Sequence, residues 1–265
     1  MPSVPIALSQ KSWLQTSAVP DFFDASGAFE TCRVRKGKVL HLAEHLRRLQ
    51  ASLQTLALFS RQEGWEPALR KAAREVRDGY IRVAVNRAGR QQMIIHRHPG
   101  IPYSHTQIRR GISLTTVASR WPQAETGLAQ VKHSERLSGV LARIEGKGAA
   151  EVLRVGPHGY LTEGTASNLF LIKDGILMTP PTWLGVLEGV TRTHIVQGAG
   201  RLKIPVQEVP LTRHDLFNAD EAFLTNVLMG ILPIHQVDGR RIGIHIPGPL
   251  TRRLMRTLTN GKKLR

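Results

Sequence analysis

The spacing of apolar residues predicts helices and strands in the first hundred positions. Between residues 41 and 58, leucines recur mostly at intervals of three or four, which predicts an amphipathic helix with one face towards a core. Residues 65–76 have a similar spacing and predict a second helix. Short apolar runs at 27–34, 80–85 and 93–96 predict strands, the last two joined by a loop at 86–89. The pattern indicates a small α/β unit.

A break in this periodicity divides the chain. Pro99-Gly100-Ile101-Pro102 interrupts every repeat, since proline and glycine end helices and strands. We therefore expect a small N-terminal α/β domain at residues 1–98, an interdomain linker at 99–106 and a larger C-terminal domain at 107–265.

The C-terminal part contains more strands. Two apolar runs, 168–172 and 176–179, flank Asp174-Gly175, a dipeptide typical of a tight hairpin turn. The other predicted elements are strands at 112–118, 152–155, 206–209, 222–225 and 234–237, and helices at 137–144, 191–202 and 249–258. Both parts of the chain therefore indicate the α/β class.

Glu163 stands out among the acidic residues because it lies among small residues just before the apolar run 168–172. A carboxylate removed from water needs a cation or a strong hydrogen-bond donor, and a protonated heterocyclic nitrogen is one such partner. A solvated loop glutamate is the alternative, because most acidic side chains are exposed. The residues themselves leave both interpretations open.

Composition limits the class of protein. At 265 residues, the chain can bury a sizeable core. It has no uninterrupted apolar run of about 18 residues and no signal-peptide pattern, so we expect a cytoplasmic protein without a membrane partner. The single cysteine, Cys32, falls in a predicted strand and cannot form an intrachain disulfide, which is typical of a buried, inert thiol.

The formal net charge of +17 is high for an enzyme that acts on small molecules, and it is a common sign of nucleic-acid binding. The basic residues are spread over separate clusters, at 33–38, 47–48, 70–77, 109–110 and 252–265. They have no interleaved aromatic platform and no zinc-finger or RNA-binding signature. We predict solvated basic surfaces and no specific nucleic-acid partner; attraction of an anionic substrate and nonspecific adhesion to nucleic acid are the alternatives.

The histidines do not follow a recognisable metal-binding pattern. His41 and His45 are four residues apart, but no glutamate follows the first of them, as a zinc protease requires. His96 and His98 have no third candidate ligand close by in the sequence. We therefore predict no metal ligands.

Five short motifs follow one another along the chain: FETCRV at 29–34, HLRRL at 45–49, VK at 131–132, LTEGTASNLF at 161–170 and LEGVTR at 187–192. Their sequences and order resemble the class IV, D-amino-acid-aminotransferase-like family of pyridoxal-phosphate enzymes. The resemblance spans about residues 27 to 240. It implies a two-domain enzyme of fold type IV, with the cofactor between the domains, and a homodimer whose subunits complete the site.

The resemblance also implies a role for each motif. Lys132 would hold pyridoxal 5′-phosphate as a Schiff base and, once released, would move a proton on the substrate. Glu163 would accept a hydrogen bond from the pyridine nitrogen of the cofactor. Arg48 and the backbone around Val190 and Thr191 would bind its phosphate.

Two departures from the family pattern bear on the reaction. The tyrosine that usually precedes the first motif is missing, and residues 24–27 read DASG instead. Asn226-Val227-Leu228-Met229, followed by Pro233, resembles the aminodeoxychorismate lyase branch. Lys132-His133 and Arg136-Leu137 resemble the same branch. We predict that the substrate-binding residues include Asn226, Val227 and Leu228.

The resemblance therefore implies a 4-amino-4-deoxychorismate lyase, which releases 4-aminobenzoate and pyruvate for folate synthesis from a small, anionic amino substrate. A class IV aminotransferase for D-amino or branched-chain amino acids is the alternative. A basic nucleic-acid-binding protein with a decayed active site is a more remote alternative. Lyase and aminotransferase share Lys132, Glu163 and the cofactor, so the sequence does not decide between them.

Overall fold

The computed structural model describes residues 6–7, 15–16, 27–58, 62–86, 93–118, 130–133, 137–146, 149 and 151–260. These residues form two compact units. The first lies within Met1–Pro102 and Val131–Arg136, and the second within Tyr103–Gln130 and Leu137–Arg265. Residues 24–26, Arg136, the tail from 261 and part of the predicted loop at 86–89 lie outside the described residues.

The first unit contains an antiparallel sheet and two helices. Its strands are β1 (Ile6–Ala7), β2 (Gln15–Thr16), β3 (Gly27–Arg35), β4 (Lys38–Val39), β5 (Gly79–Asn86) and β6 (Met93–Pro99), in the order β2-β1-β6-β5-β3-β4. The helices are α1 (Leu42–Thr55) and α2 (Trp65–Val76). Both helices and the three strands predicted in this region are confirmed.

Side chains along β3 alternate between the two faces of the sheet, and one of these faces packs against the core of this unit. Side chains at every second position of a strand share one face, and Ala28, Cys32 and Val34 pack in the apolar cluster that also contains the buried leucines of α1 and α2. Glu30 occupies the same face and is 1% exposed. A carboxylate is therefore placed inside an apolar core.

Two side chains of α1 compensate this buried charge. The Arg48 guanidinium donates to both oxygens of Glu30, from Nε at 2.6 Å and from Nη2 at 2.9 Å. His45 Nδ1 lies 2.8 Å from Glu30 Oε2. Burial alone would raise the pKa of Glu30, but the hydrogen bonds and charges of His45 and Arg48 outweigh it and lower the pKa to about 2. The network joins β3 to α1.

The short segment around Lys132 belongs to the first unit, although the sequence placed it in the C-terminal domain. Backbone pairing explains the difference: Phe29 N donates to Lys132 O at 2.9 Å, and His133 forms an antiparallel bridge with Ala28. The domain boundaries drawn from the sequence otherwise stay a prediction.

The second unit contains nine strands and five α-helices among its described residues. The strands are β7 (Ile112–Ala118), β8 (Glu151–Val155), β9 (Leu161–Gly164), β10 (Asn168–Lys173), β11 (Ile176–Thr179), β12 (Val206–Glu208), β13 (Glu221–Asn226), β14 (Gly230–Val237) and β15 (Arg240–Arg241). The helices are α3 (His105–Arg110), α4 (Leu137–Glu145), α5 (Val190–Arg201), α6 (Arg213–Phe217) and α7 (Pro249–Asn260), with a 3₁₀ turn at Thr182–Leu184.

Six of these strands close into a ring. The order β10-β13-β14-β7-β8-β9 returns to its start because β9 also pairs with β10, through Asn168 and Glu163. One apolar cluster draws side chains from all six strands. On the other side of β10 and β13, Phe170 and Phe223 stack with ring centroids 5.2 Å apart, in a cluster with residues of α5 and α7. Glu163 is part of β9, which pairs with β8 on one side and with β10 on the other.

The predicted hairpin is confirmed. Asp174 and Gly175 connect β10 to β11 with φ values of 50° and 77°, the two successive positive φ angles that a tight two-residue hairpin turn requires. Aspartate and glycine tolerate that region of φ better than most residues do.

Helix α3 and strand β14 are among the elements that differ from the sequence prediction. Helix α3 occupies part of the stretch predicted as a linker, since a capping box between Ser104 and Gln107 starts a helix too short to produce an apolar repeat. Strand β14 begins before the predicted residue 234 and runs through Pro233, which is opposite Phe223 of β13. The pairing of β14 with β7 starts only at Ile234, so the missing N–H of the proline interrupts no bond to β7.

No helix among the described residues is long and apolar enough to cross a membrane.

We predict that the Glu30 network stabilises the fold in a pH-dependent way. The carboxylate has a pKa of about 2 when folded, against an ordinary value of 4.5. Its contribution of about 3 kcal/mol to the free energy of unfolding is therefore complete above about pH 4.5 and disappears as the pH falls towards 2. Glu30→Gln should lower the free energy of unfolding at pH 7 by about 3 kcal/mol and flatten its decline below pH 4.5.

Urea unfolding at pH 7, 5, 4 and 3 measures both effects. Glu66→Gln is the matched control, because Glu66 forms an exposed pair with Arg70 on α2 and should contribute about 0.5 kcal/mol or less. Parallel pH curves for wild type and Glu30→Gln would contradict the prediction.

Candidate functional site

The backbone carbonyl and the backbone N–H of Lys132 are both hydrogen-bonded. Its carbonyl accepts from Phe29 N, and its own N–H donates to Ser52 Oγ at 3.2 Å. The side chain is half-buried, and Nζ lies 4.7 Å from the centroid of the Phe29 ring. β3 and α1 thus position this lysine, whereas its covalent bond to a cofactor stays a prediction.

Arg48, the predicted phosphate ligand, lies in the same unit. Its side chain is 16% exposed and is oriented by the two-point contact with Glu30. The preceding Arg47 is exposed. The contact with Glu30 uses two of the five N–H donors of the planar guanidinium, and binding of a phosphate by Arg48 stays a prediction.

Glu163 is half-buried and has three hydrogen-bond donors around it in the second unit. Oε1 accepts from Arg154 Nη2 at 2.7 Å, and Oε2 accepts from Leu187 N at 3.0 Å and from Asn168 Nδ2 at 3.3 Å. The Glu163 side chain is only 12% exposed and that of Arg154 only 7%. The solvated-loop interpretation of Glu163 is therefore wrong, because β8, β9 and β10 enclose the carboxylate.

The start of α5 forms a cradle that suits a phosphate. The residue before the helix is Gly189, whose N-cap position has no side-chain hydrogen bond. A Cβ at Gly189 would lie 2.1 Å from Asn168 Oδ1, so any other residue there would displace the Asn168 amide. Val190 and Thr191, the first residues of the helix, are buried. Backbone N–H groups at a helix start favour an anion, and these residues fit the phosphate of the implied cofactor.

Gln130 supports this cradle from within the same unit. Its Nε2 donates to Val186 O at 2.9 Å, and its Oε1 accepts from Glu188 N at 3.2 Å. The segment that leads into α5 is therefore fixed at two points.

Asn226 organises the loop between β13 and β14. Its Oδ1 accepts from the N–H groups of Leu228 at 2.9 Å and Met229 at 3.0 Å. Its Nδ2 donates to Tyr103 Oη at 3.0 Å and to Ala166 O at 3.2 Å. Val227 and Leu228 are half-buried. The three residues predicted to bind substrate thus form one ordered loop, whereas a role in substrate binding stays a prediction.

Sequence reasoning missed three contributors to the site. Glu30 was recognised only as part of the FETCRV motif, without a role of its own. The sequence around Gln130 does not distinguish it from a solvated residue. Arg154 had a usable signal: it is a charged residue within the apolar strand β8, two residues from the turn that leads to β9. A buried cation beside a strand that carries a carboxylate indicates an ion pair.

Comparison with known proteins agrees with these motifs. Residues 27–237 match the family described as "Amino-transferase class IV". The chain is 33% identical over 242 residues to a putative branched-chain-amino-acid aminotransferase of Methanocaldococcus jannaschii, covering 86% of this chain and 84% of that protein.

Solved structures share the fold. 4-Amino-4-deoxychorismate lyase of Pseudomonas aeruginosa superimposes with a TM-score of 0.78 at 30% identity, covering 91% of this chain and 92% of the other. The branched-chain aminotransferase of the thermophilic archaeon Thermoproteus uzoniensis, solved with norvaline, gives a TM-score of 0.83 at 24% identity, covering 99% and 97%. A further branched-chain amino acid aminotransferase, solved with pyridoxamine 5′-phosphate, gives a TM-score of 0.84 at 23% identity, covering 100% and 96%.

The expected cofactor class and fold type are both supported. The family match covers all five motifs, and a related structure was solved with pyridoxamine 5′-phosphate. The cofactor roles of Lys132, Arg48, Glu163, Val190 and Thr191 stay predictions. The chain belongs to the class IV aminotransferase family of pyridoxal-phosphate enzymes.

Proposed function

We propose that this enzyme is a 4-amino-4-deoxychorismate lyase that converts its substrate to 4-aminobenzoate and pyruvate. The observation that carries the proposal is the loop at Asn226, where one side chain occupies the N–H groups of Leu228 and Met229. A small, Gly/Ser/Thr-rich loop at this place is typical of aminotransferases. The 30% identity to the Pseudomonas aeruginosa lyase supports the same choice.

Bound pyridoxal 5′-phosphate supplies an electron sink for the bond that is broken next to the substrate amine. Lys132 would hold the cofactor covalently and, once free, would take the proton from the substrate carbon that bears the amine. Glu163 would accept a hydrogen bond from the protonated ring nitrogen. Arg48 and the backbone of Val190 and Thr191 would bind the phosphate.

The proposed reaction needs no second substrate. When Lys132 removes the proton, the electron pair released expels the enolpyruvyl group by breaking the C–O bond to the ring, and the ring becomes aromatic. The group departs as an enolate, and protonation of its terminal carbon gives pyruvate. The amine stays on the product, so the cofactor is recovered unchanged and no keto acid is consumed.

An aminotransferase is the second candidate. The Methanocaldococcus jannaschii relative, 33% identical over most of both chains, supports it. Lys132 and Glu163 would have the same roles, but the proton would be returned to the cofactor and a keto acid would leave, which requires a second substrate and ping-pong kinetics. For either reaction we propose a homodimer and a small, anionic amino substrate.

We expect the purified enzyme to form 4-aminobenzoate from aminodeoxychorismate alone, with one pyruvate for each 4-aminobenzoate. Fluorescence of 4-aminobenzoate and a lactate dehydrogenase assay measure the two products. In parallel, D-alanine or L-leucine with 2-oxoglutarate should give no glutamate. Glutamate without 4-aminobenzoate would establish the aminotransferase instead.

We also expect Lys132 to be the cofactor lysine. Borohydride reduction followed by peptide mass spectrometry should place the label on Lys132, and Lys132→Ala should abolish turnover, because the covalent anchor and the base are lost together. Lys173→Ala is the control, since Lys173 forms an exposed pair with Asp220 and should leave turnover unchanged. Label on a different lysine would refute the assignment.

For Glu163→Gln we expect cofactor to be retained and turnover per bound cofactor to fall about 10- to 100-fold, because a hydrogen bond to a charged group contributes about 1.5–3 kcal/mol. Expressing the rate per bound cofactor separates this effect from the stability lost when Arg154 loses its partner. Glu188→Gln, at an exposed position, should match wild type. Equal turnover in Glu163→Gln and wild type would exclude the proposed role.

A further inference from the structure

A basic cleft lies in the first unit, away from the residues assigned to the cofactor. It has a volume of about 770 Å³ and is lined by Lys36, Gly37, Lys38, Val39, Arg70, Arg74, Arg77 and Asp78. Three segments form it: the turn between β3 and β4, the exposed face of α2, and the residues that follow α2. Two basic clusters, 33–38 and 70–77, which are about 40 residues apart in the sequence, meet here.

The charge of the cleft is unbalanced. Five of its lining side chains are cationic, and Asp78 is the one carboxylate among them. Arg70 pairs with Glu66, but in the part of the chain that the structure describes, Lys36, Lys38, Arg74 and Arg77 form no ion pair. Like charges gathered around one concavity repel one another and concentrate a positive potential there. An anion in the cleft would relieve that repulsion.

The backbone of the cleft is fixed. Gly37 N donates to Arg77 O at 2.8 Å, which ties the turn to the end of α2. Gly37 has a φ of 69°, a region that suits glycine.

Arg77 lies in strained backbone at the edge of the cleft. Its φ of 61° and ψ of −68°, with Asp78 N donating to Val76 O at 2.8 Å, form the rare γ-turn with a positive central φ. Strained residues that are not glycine concentrate at ligand sites.

The shape and chemistry of the cleft indicate the kind of anion. A volume of about 770 Å³ is that of a small-molecule site, and the cations that line it come from three segments of the chain instead of a single basic run. None of the described residues that line the cleft is aromatic, so they offer no platform on which nucleic-acid bases could stack. Arginine forks and lysine ammonium groups are the standard ligands of phosphate oxygens.

We propose that this cleft is a binding site for an oligophosphate group, such as the triphosphate of a nucleotide or a short inorganic polyphosphate. The site is separate from the predicted cofactor phosphate ligands, none of which line it. It would give the enzyme a second ligand, which its substrate chemistry does not require.

Calorimetry with sodium tripolyphosphate and the cofactor-loaded enzyme tests the proposal. We expect saturable binding that weakens as salt rises, and a Kd at least about 10-fold higher for Arg74→Gln and for Lys38→Gln. Lys71→Gln is the matched control, because Lys71 is exposed on the same helix but does not line the cleft. It changes the net charge by the same amount and should leave Kd within about 2-fold of wild type.

A titration with ATP identifies the source of the oligophosphate, and a titration with single-stranded RNA tests for nucleic-acid binding. ATP that binds at least as tightly as tripolyphosphate, with the same loss in Arg74→Gln, would indicate a nucleotide, whereas tighter binding of tripolyphosphate would indicate inorganic polyphosphate. The proposal is overturned if tripolyphosphate does not bind, if Lys71→Gln weakens it as much as Arg74→Gln, or if only single-stranded RNA binds.

Discussion

Burial of a carboxylate is costly unless positive charge or hydrogen-bond donors replace the water that it loses, and each unit of this enzyme is built around that constraint. In the first, Glu30 on β3 meets Arg48 and His45 of α1. In the second, Glu163 on β9 meets Arg154 of β8. Both networks cross from one element to the next, so the charges that stabilise the fold also determine where the site residues lie.

The remaining groups of the candidate site are positioned by hydrogen bonds in which at least one partner is a backbone group. Lys132 is held at its carbonyl and its N–H, and Gln130 fixes the segment before α5. Asn226 folds its own loop. A precise active site generally requires groups that are ordered before a ligand binds, and these candidate groups meet that requirement.

Much of the fold could be predicted from the sequence because its helices and strands have strong apolar periods and clear turn residues. Trp65–Val76, Ile112–Ala118 and Ile176–Thr179 have the predicted bounds. Helix α3 could not be found, since six residues are too few to show a repeat. Of the candidate site, the motif residues were recognised. Gln130 was not, because its partners Val186 and Glu188 lie more than 50 residues away in the sequence. Arg154 was not, because it lies outside the five motifs and its pair with Glu163 forms only when β8 and β9 fold together.

By itself, then, the sequence determined the α/β class, the family and the candidate cofactor residues, since each is written in local patterns or ordered motifs. It also established a net charge of +17, but not where that charge collects. Only the tertiary structure paired Glu163 with Arg154, enclosed Glu30 with Arg48, and brought the basic clusters at 33–38 and 70–77 together at one cleft. Electrostatic interactions depend on distance in space, and chain order does not specify that distance.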